Sequence, residues 1–197
     1  MIKHMTLAAL AALVPAAATA ACVTADSLKS GIRIDYGDGE TELFYAYLPN
    51  VIAADYLIDG ERTSRTLLIH GLYLSEYLEF NEGRPDPQSR ETYSYPPGVE
   101  GLPIPQPNET FNVSAVAFIR GDLNDEAQSY DFRAEELIEL SGCTYRSIPV
   151  ELTYPGDTDL WIEYLSYLPD LGISLYVASR DAEGLVEYPA LGISAVP

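Results

Sequence analysis

Along most of this chain apolar and polar residues alternate with a period of two, in short runs cut by Gly, Pro, Asn and Asp. The clearest region lies between Cys143 and Val177. Ile148, Val150, Leu152 and Tyr154 alternate with other residues up to Pro155 and Gly156, and Leu160, Ile162, Tyr164 and Leu168 do so up to Pro169. After Asp170 and Gly172 a third run covers Ile173 to Val177. A period of two bounded by turn residues predicts three antiparallel strands in a meander.

The N-terminal part follows the same grammar. Ile32, Ile34 and Tyr36 share one face, Gly37, Asp38 and Gly39 supply a turn, Thr41 to Leu48 continues as a strand up to Pro49 and Asn50, and Val51 to Ile58 ends at Asp59 and Gly60. Cys22, Ile32, Ile34, Tyr36, Asp38, Thr41, Leu43, Tyr47, Leu48 and Pro49 are echoed in order by Cys143, Ile148, Val150, Tyr154, Asp157, Thr158, Leu160, Tyr167, Leu168 and Pro169. Internal duplication and the shared chemistry of hairpins both produce such an echo.

Arg65 to Phe80 reads as one long strand bent at Gly71, with Tyr73 and Tyr77 on a half-buried or cleft-lining face. Phe111 to Arg120 is a further strand, and Gly121, Asp122, Asn124 and Asp125 form the turn after it. Ala127 to Leu140 fits either a helix, through Tyr130, Ala134, Leu137 and Ile138, or a hairpin of two short strands, which the alternation favours. Leu185 to Ala195, interrupted by Pro189 and Gly192, reads as a last strand at a sheet edge. The sum is a mainly β chain: a curved antiparallel sheet, as a half-barrel or sandwich, of about nine to twelve strands with at most one short helix.

Between residues 85 and 107 lie seven of the chain's 14 prolines. Such a stretch favours extended polyproline conformation and lacks the N–H groups of a central strand. Its Tyr93, Tyr95, Leu102 and Ile104 call for a packing surface, so it is expected to strap the domain; a disordered linker is the rival. With the strap included, residues 21–197 form one domain, long enough to bury a core.

Lys3 and His4, the apolar segment Met5 to Val14 and the small residues Ala18 and Ala20 make residues 1–20 a secretory signal peptide. Its apolar core is shorter than the roughly 20 residues a bilayer span needs, so the protein is expected to be exported, periplasmic or extracellular, and not transmembrane. Export favours a disulfide between the two cysteines, Cys22 and Cys143. Lipid anchoring at Cys22 is the alternative and would exclude that bridge.

The 30 acidic and 11 basic side chains give a formal charge of −19, which argues against nucleic acid and anionic lipid as partners. The acids are spread along the chain, as a solvated surface requires, and a cationic partner stays compatible. No catalytic set, metal site or cofactor site emerges. His70 has no serine in a nucleophile context beside it, and acid pairs such as Glu135 with Glu136 or Asp157 with Asp159 are expected by abundance alone. Asp122, Asn124, Asp125 and Glu126 crowd oxygen ligands for calcium but lack the EF-hand spacing, and turn chemistry also explains them.

Fifteen tyrosines against five phenylalanines is the feature that most invites a ligand, because tyrosine joins an apolar face to a polar tip. Tyr73, Tyr77, Tyr164 and Tyr167 are the candidate ligand-binding residues. Tyr167 to Ile173, together with Cys22 to Asp26, His70 to Leu74 and Cys143 to Val150, resembles uncharacterised secreted proteins of Gram-negative bacteria. The Tyr167 to Ile173 stretch is also similar to the periplasmic lipoprotein-carrier half-barrel. That resemblance implies a curved antiparallel sheet with a concave apolar face and supplies no catalytic residue. The expected function is that of a non-enzymatic binding or structural domain, taking an apolar ligand or a partner protein on a tyrosine-lined face. A secreted, glycosidase-like hydrolase using paired carboxylates is the alternative.

Overall fold

The computed structural model describes residues 21–156 and 160–197. The expected signal peptide over residues 1–20, the Asp157 and Asp159 pair and the Asp157–Thr158 part of the internal echo lie outside the described residues.

The first half of the chain folds into β1 (Ile32–Gly37), β2 (Glu40–Leu48), β3 (Val51–Ile58), β4 (Glu61–Ile69), β5 (Tyr73–Asn81), β6 (Arg84–Pro85) and β7 (Glu91–Ser94). The second half supplies β8 (Thr110–Ile119), β9 (Asp122–Phe132), β10 (Glu136–Leu140) and β11 (Cys143–Thr153). Then come β12 (Ile162–Leu168), β13 (Ile173–Arg180), β14 (Leu185–Glu187) and β15 (Gly192–Ala195). The only helical segments among the described residues are short 3-10 turns at Ala25–Lys29 and Val99–Gly101.

The chain is therefore mainly β, as its alternation predicts, but with 15 strands in one sheet among the described residues rather than nine to twelve. Along the sheet the order is β14, β13, β12, β11, β9, β8, β7, β5, β4, β3, β2, β1, β15, with β10 beside β11 and β6 beside β5. Every pairing is antiparallel. Turns such as Asp59–Gly60 and Ser141–Gly142, with both residues at positive φ, match the right-handed twist of the strands they join.

Four expectations are corrected. Arg65 to Phe80 is not one bent strand, because His70 and Gly71 sit at φ 52° and 69° and reverse the chain between β4 and β5, pairing Ile69 with Tyr73. Asp122, Asn124 and Asp125 are not in a turn. Arg120 and Gly121 alone make it, and β9 pairs with β8 from Asp122 onward, so the clustered-oxygen site expected there is pulled out into a strand. Ala127 to Leu140 supplies strands rather than a helix, as the alternation favours, but not a hairpin. It divides between β9 and β10, which pair with successive parts of β11 and not with each other, and Leu137, required on the helix's buried face, is 70% exposed. Finally, the proline-rich stretch does enter the sheet: its first residue, Pro85, pairs with Phe80, and Glu91–Ser94, free of proline, bridges β5 and β8. The remainder is the expected strap, with Tyr95, Leu102 and Pro105 buried and the Tyr73 hydroxyl donating to the Pro103 carbonyl at 2.8 Å.

The last run also divides in two, and its parts pair at opposite ends of the sheet, β14 with β13 and β15 with β1. Tyr188 to Leu191 joins them. Its ends are fixed by the Tyr188 N–H donating to Val177 O at 2.8 Å and the Leu191 N–H donating to Asp35 O at 2.7 Å. The sheet, open in its hydrogen bonding between β14 and β15, is thus curled until a short link spans its edges. At one end of the curl the β4–β5 and β12–β13 turns meet, where Ser174 Oγ donates to Gly71 O at 2.5 Å.

Cys22 is bonded to Cys143, the first residue of β11, so its sulfur is engaged within the protein and the bridge excludes acylation of the same atom. Val23 and Leu28, carried in by this tether, pack with Ile32, Phe44, Leu168 and Ile173, and the Val23 N–H donates to Tyr145 Oη at 3.0 Å. A second cluster, around Tyr73, Tyr130, Phe132 and Val150, packs under the strap.

Two stability outcomes follow. The bridge closes a separation of 121 positions, for which chain entropy gives a ceiling of about 4–5 kcal/mol. Cys143→Ser is expected to lower the melting temperature by on the order of 10 °C, and reductant to add nothing in that variant. Free thiols titrated in unfolded, unreduced wild-type protein are incompatible with the bridge. A Cβ on Gly71 would run into the Gly172 carbonyl, whereas one on Gly83, also at positive φ, meets nothing within 4 Å. Gly83→Ala should cost about 1 kcal/mol and Gly71→Ala about 2 kcal/mol more by denaturant titration; equal losses would contradict the turn-to-turn contact.

Candidate functional site

The curled sheet forms a half-open cavity of about 800 Å³, with side chains from β1, β2, β3, β4, β5, β7, β9, β11, β12, β13 and β14 on its wall. Leu72, Tyr130 and Leu152 of the second cluster and Leu68, packed on the first, form its apolar parts.

The polar lining is unusual. Glu40, Glu42, Glu91, Glu126, Glu163 and Glu187 face the cavity, and so do eight of the 15 tyrosines and Trp161. Among the described residues, no Lys, Arg or His lines the cavity. Alternation places the acids here: Glu40 and Glu42 lie in phase with the fully buried Phe44 on β2, and Glu126 with Gln128, Tyr130 and Phe132 on β9.

Aromatic donors orient these carboxylates. Tyr36 donates to Glu42 Oε2 at 3.0 Å, Tyr56 donates to Glu40 Oε2, and Tyr93 donates to Glu91 Oε2 at 3.4 Å. Tyr154 and the Trp161 indole both donate to Glu163 Oε1, at 2.8 and 3.0 Å. Gln128 gives its Nε2 to Glu126 at 2.6 Å and accepts from Tyr95 and Tyr130 at 3.2 and 2.7 Å. Burial first, and the neighbouring glutamates second, push the Tyr36 and Tyr154 hydroxyls far above the usual tyrosine range; burial also takes Tyr176 to about 12. These phenols therefore stay protonated and act as donors at any physiological pH.

Glu42 differs from an ordinary carboxylate. It sits deep in the barrel while keeping some accessible surface toward the cavity, and burial raises it from 4.5 to about 7, against the lowering effect of the Tyr36 bond. Tyr36 of β1, Glu40 of its own strand and Tyr56 of β3 surround it, and none of these is a cation. Asp55, buried on the opposite face of β3, makes the contrast. Arg65 binds it through two bonds of 2.6 and 2.9 Å, and Arg62 lies 3.4 Å away.

Of the four tyrosines expected to bind a ligand, Tyr77 lines the cavity. Tyr73 and Tyr167 are buried in the apolar cluster beneath the strap, and Tyr164 is half-buried with the Arg180 guanidinium 6.0 Å over its ring. Tyr36, Tyr56, Tyr93, Tyr130, Tyr154, Tyr176 and Tyr188 also line it, and for Tyr36, Tyr56, Tyr93 and Tyr154 the sequence held a signal: an acid two positions along, or across a hairpin, on the same face. His70 lies outside the lining, its Nε2 3.1 Å from the Val99 carbonyl of the strap. Among the described residues no three His, Cys, Asp or Glu side chains are grouped to hold a metal ion, and no helix is long and apolar enough to cross a membrane.

Comparison with protein-family models, with curated proteins and with solved structures returned no match.

The raised Glu42 links stability to pH with a definite sign. Below about pH 4.5 the group is protonated in both states; as pH rises toward 7 the unfolded chain loses the proton first, so folding weakens across that window and the cost is complete above it. Glu42→Gln removes this cost. Relative to wild type the variant should gain on the order of 1–3 kcal/mol between about pH 4.5 and 7.5, read from denaturant midpoints. A difference that does not vary with pH would show that Glu42 titrates normally.

Proposed function

We propose that this is an exported, non-enzymatic binding protein whose barrel takes a small molecule into its cavity. The observation that carries the reading is the half-open cavity of about 800 Å³ with both aromatic faces and oriented polar groups on its wall. Apolar area and aromatic faces supply affinity, and a few fixed polar groups supply orientation. The disulfide supports an oxidising location. An apolar cargo, as the carrier half-barrel resemblance implies, is the expectation against which the glutamates weigh.

The test is mass spectrometry of extracts from protein purified by its native export route. A low-molecular-weight compound should be recovered repeatedly at near one per chain from wild type and be lost from Thr66→Trp, which fills the cavity wall. Equal recovery from the filled variant would place any binding elsewhere.

One observation favours a second reading. A carboxyl raised to about 7 beside other carboxylates in a cavity is what a glycosidase uses as its proton donor. In that case wild type cleaves a glycoside whose poor, alkoxide-level leaving group must be protonated and Glu42→Gln does not; a binding protein cleaves none.

A further inference from the structure

We propose that the cavity's ligand is an organic cation of the alkylamine class, carrying ammonium groups on a short carbon chain between the tyrosine faces and the glutamates. This rests on the small-molecule binding reading above and names the ligand's charge.

The inference starts from where the chain does and does not place its few cations. On the outer face of β3 a buried acid, Asp55, is answered by two arginines. Inside the barrel Glu40, Glu42, Glu91, Glu163 and Glu187 line the wall and enter none of the described ion pairs, and among the described residues no basic side chain lines the cavity with them. The tyrosine and indole bonds hold these acids in place and bring no positive charge to them. Each such bond engages one oxygen, Oε2 of Glu40, Glu42 and Glu91 and Oε1 of Glu163, which leaves lone pairs for a ligand's N–H groups.

A neutral apolar guest would strip water from these carboxylates and return nothing, and an anion would meet a repulsive field. A cation is stabilised twice, by the carboxylates and by the negative faces of the surrounding tyrosine rings. The acids also specify its shape. They stand in separate sectors of the wall, on β2, on β7 and β9, and on β12 and β14, with no group of three close enough for a metal ion. Charges spaced around a cavity of about 800 Å³, with Leu68, Leu74 and Leu165 between them, match ammonium groups separated by methylenes rather than a compact ion.

The experiment is calorimetric titration at about 0.1 M salt with 1,6-diaminohexane and spermidine, against the neutral 1,6-hexanediol and the anionic adipate. The amines should bind at one per chain, at least roughly tenfold tighter than the diol, and adipate should not bind. Glu42→Gln and Glu163→Gln, each checked for a native circular dichroism spectrum, should weaken the amines roughly three- to tenfold and leave the diol unchanged. Thr66→Trp, or Ser64→Trp should that variant not fold, should abolish amine binding. Amine binding that persists in the filled variant would mark a surface counterion effect and overturn the proposal. Diol binding as tight as amine binding would overturn the charge assignment while leaving a cavity-binding protein, and no amine binding beside a co-purifying neutral compound would do the same. No titratable probe and no co-purifying compound would overturn both readings.

Discussion

The whole architecture depends on the four residues Tyr188 to Leu191. Four residues reach at most about 14 Å, yet they must run from a strand paired with β13 to a strand paired with β1, which stand at opposite ends of the sheet. An extended sheet of this many strands cannot satisfy that distance. Curling is the only solution, and strand twist together with the bulges between β3 and β4, β4 and β5, and β12 and β13 provides the curvature. The disulfide acts in the same direction, by tying the segment ahead of β1 to the start of β11.

Once the sheet is curled, its inner face needs filling, and the chain fills only part of it. Large apolar side chains occupy the end where the two turns meet, and the strap adds Tyr95 and Leu102. Toward the other part, positions that alternation reserves for core residues carry glutamate and tyrosine. A sequence selected for stability alone would not place Glu42 there, since burial disfavours its ionised form. Among the described residues no buried side-chain polar atom lacks a hydrogen-bond partner, so the acids are accommodated by an organised network rather than tolerated as defects.

Strand alternation and polar turns were legible from the residues, because Asp59–Gly60 or Pro169–Asp170 announce a reversal through local chemistry alone. The reversal at His70–Gly71 was not. It is flanked by Ile69 and Leu72, apolar because they pack in the second cluster, so the usual polar signal is missing. Which strands pair was illegible for a related reason: β15 pairs with β1 from the other end of the chain and β9 passes over β10 to pair with β11, and no local pattern encodes distance. The cavity lay between these cases. Period two shows that Glu40, Glu42 and Phe44 share a face, but not that Phe44 meets packed neighbours while the glutamates meet open space. The same limit applies to the tyrosines, where Tyr73 and Tyr77 sit on one short strand and end in different surroundings.

Trp161 stands at the cavity wall, about two-fifths exposed, with its indole N–H on Glu163. It is the protein's single tryptophan, among fifteen tyrosines that can transfer excitation to it. Its emission therefore reports on one place only, the carboxylate it touches and the solvent beside it. A guest that displaces water there or draws Glu163 away changes the colour and yield of that light, so the molecule carries an optical gauge of its own occupancy.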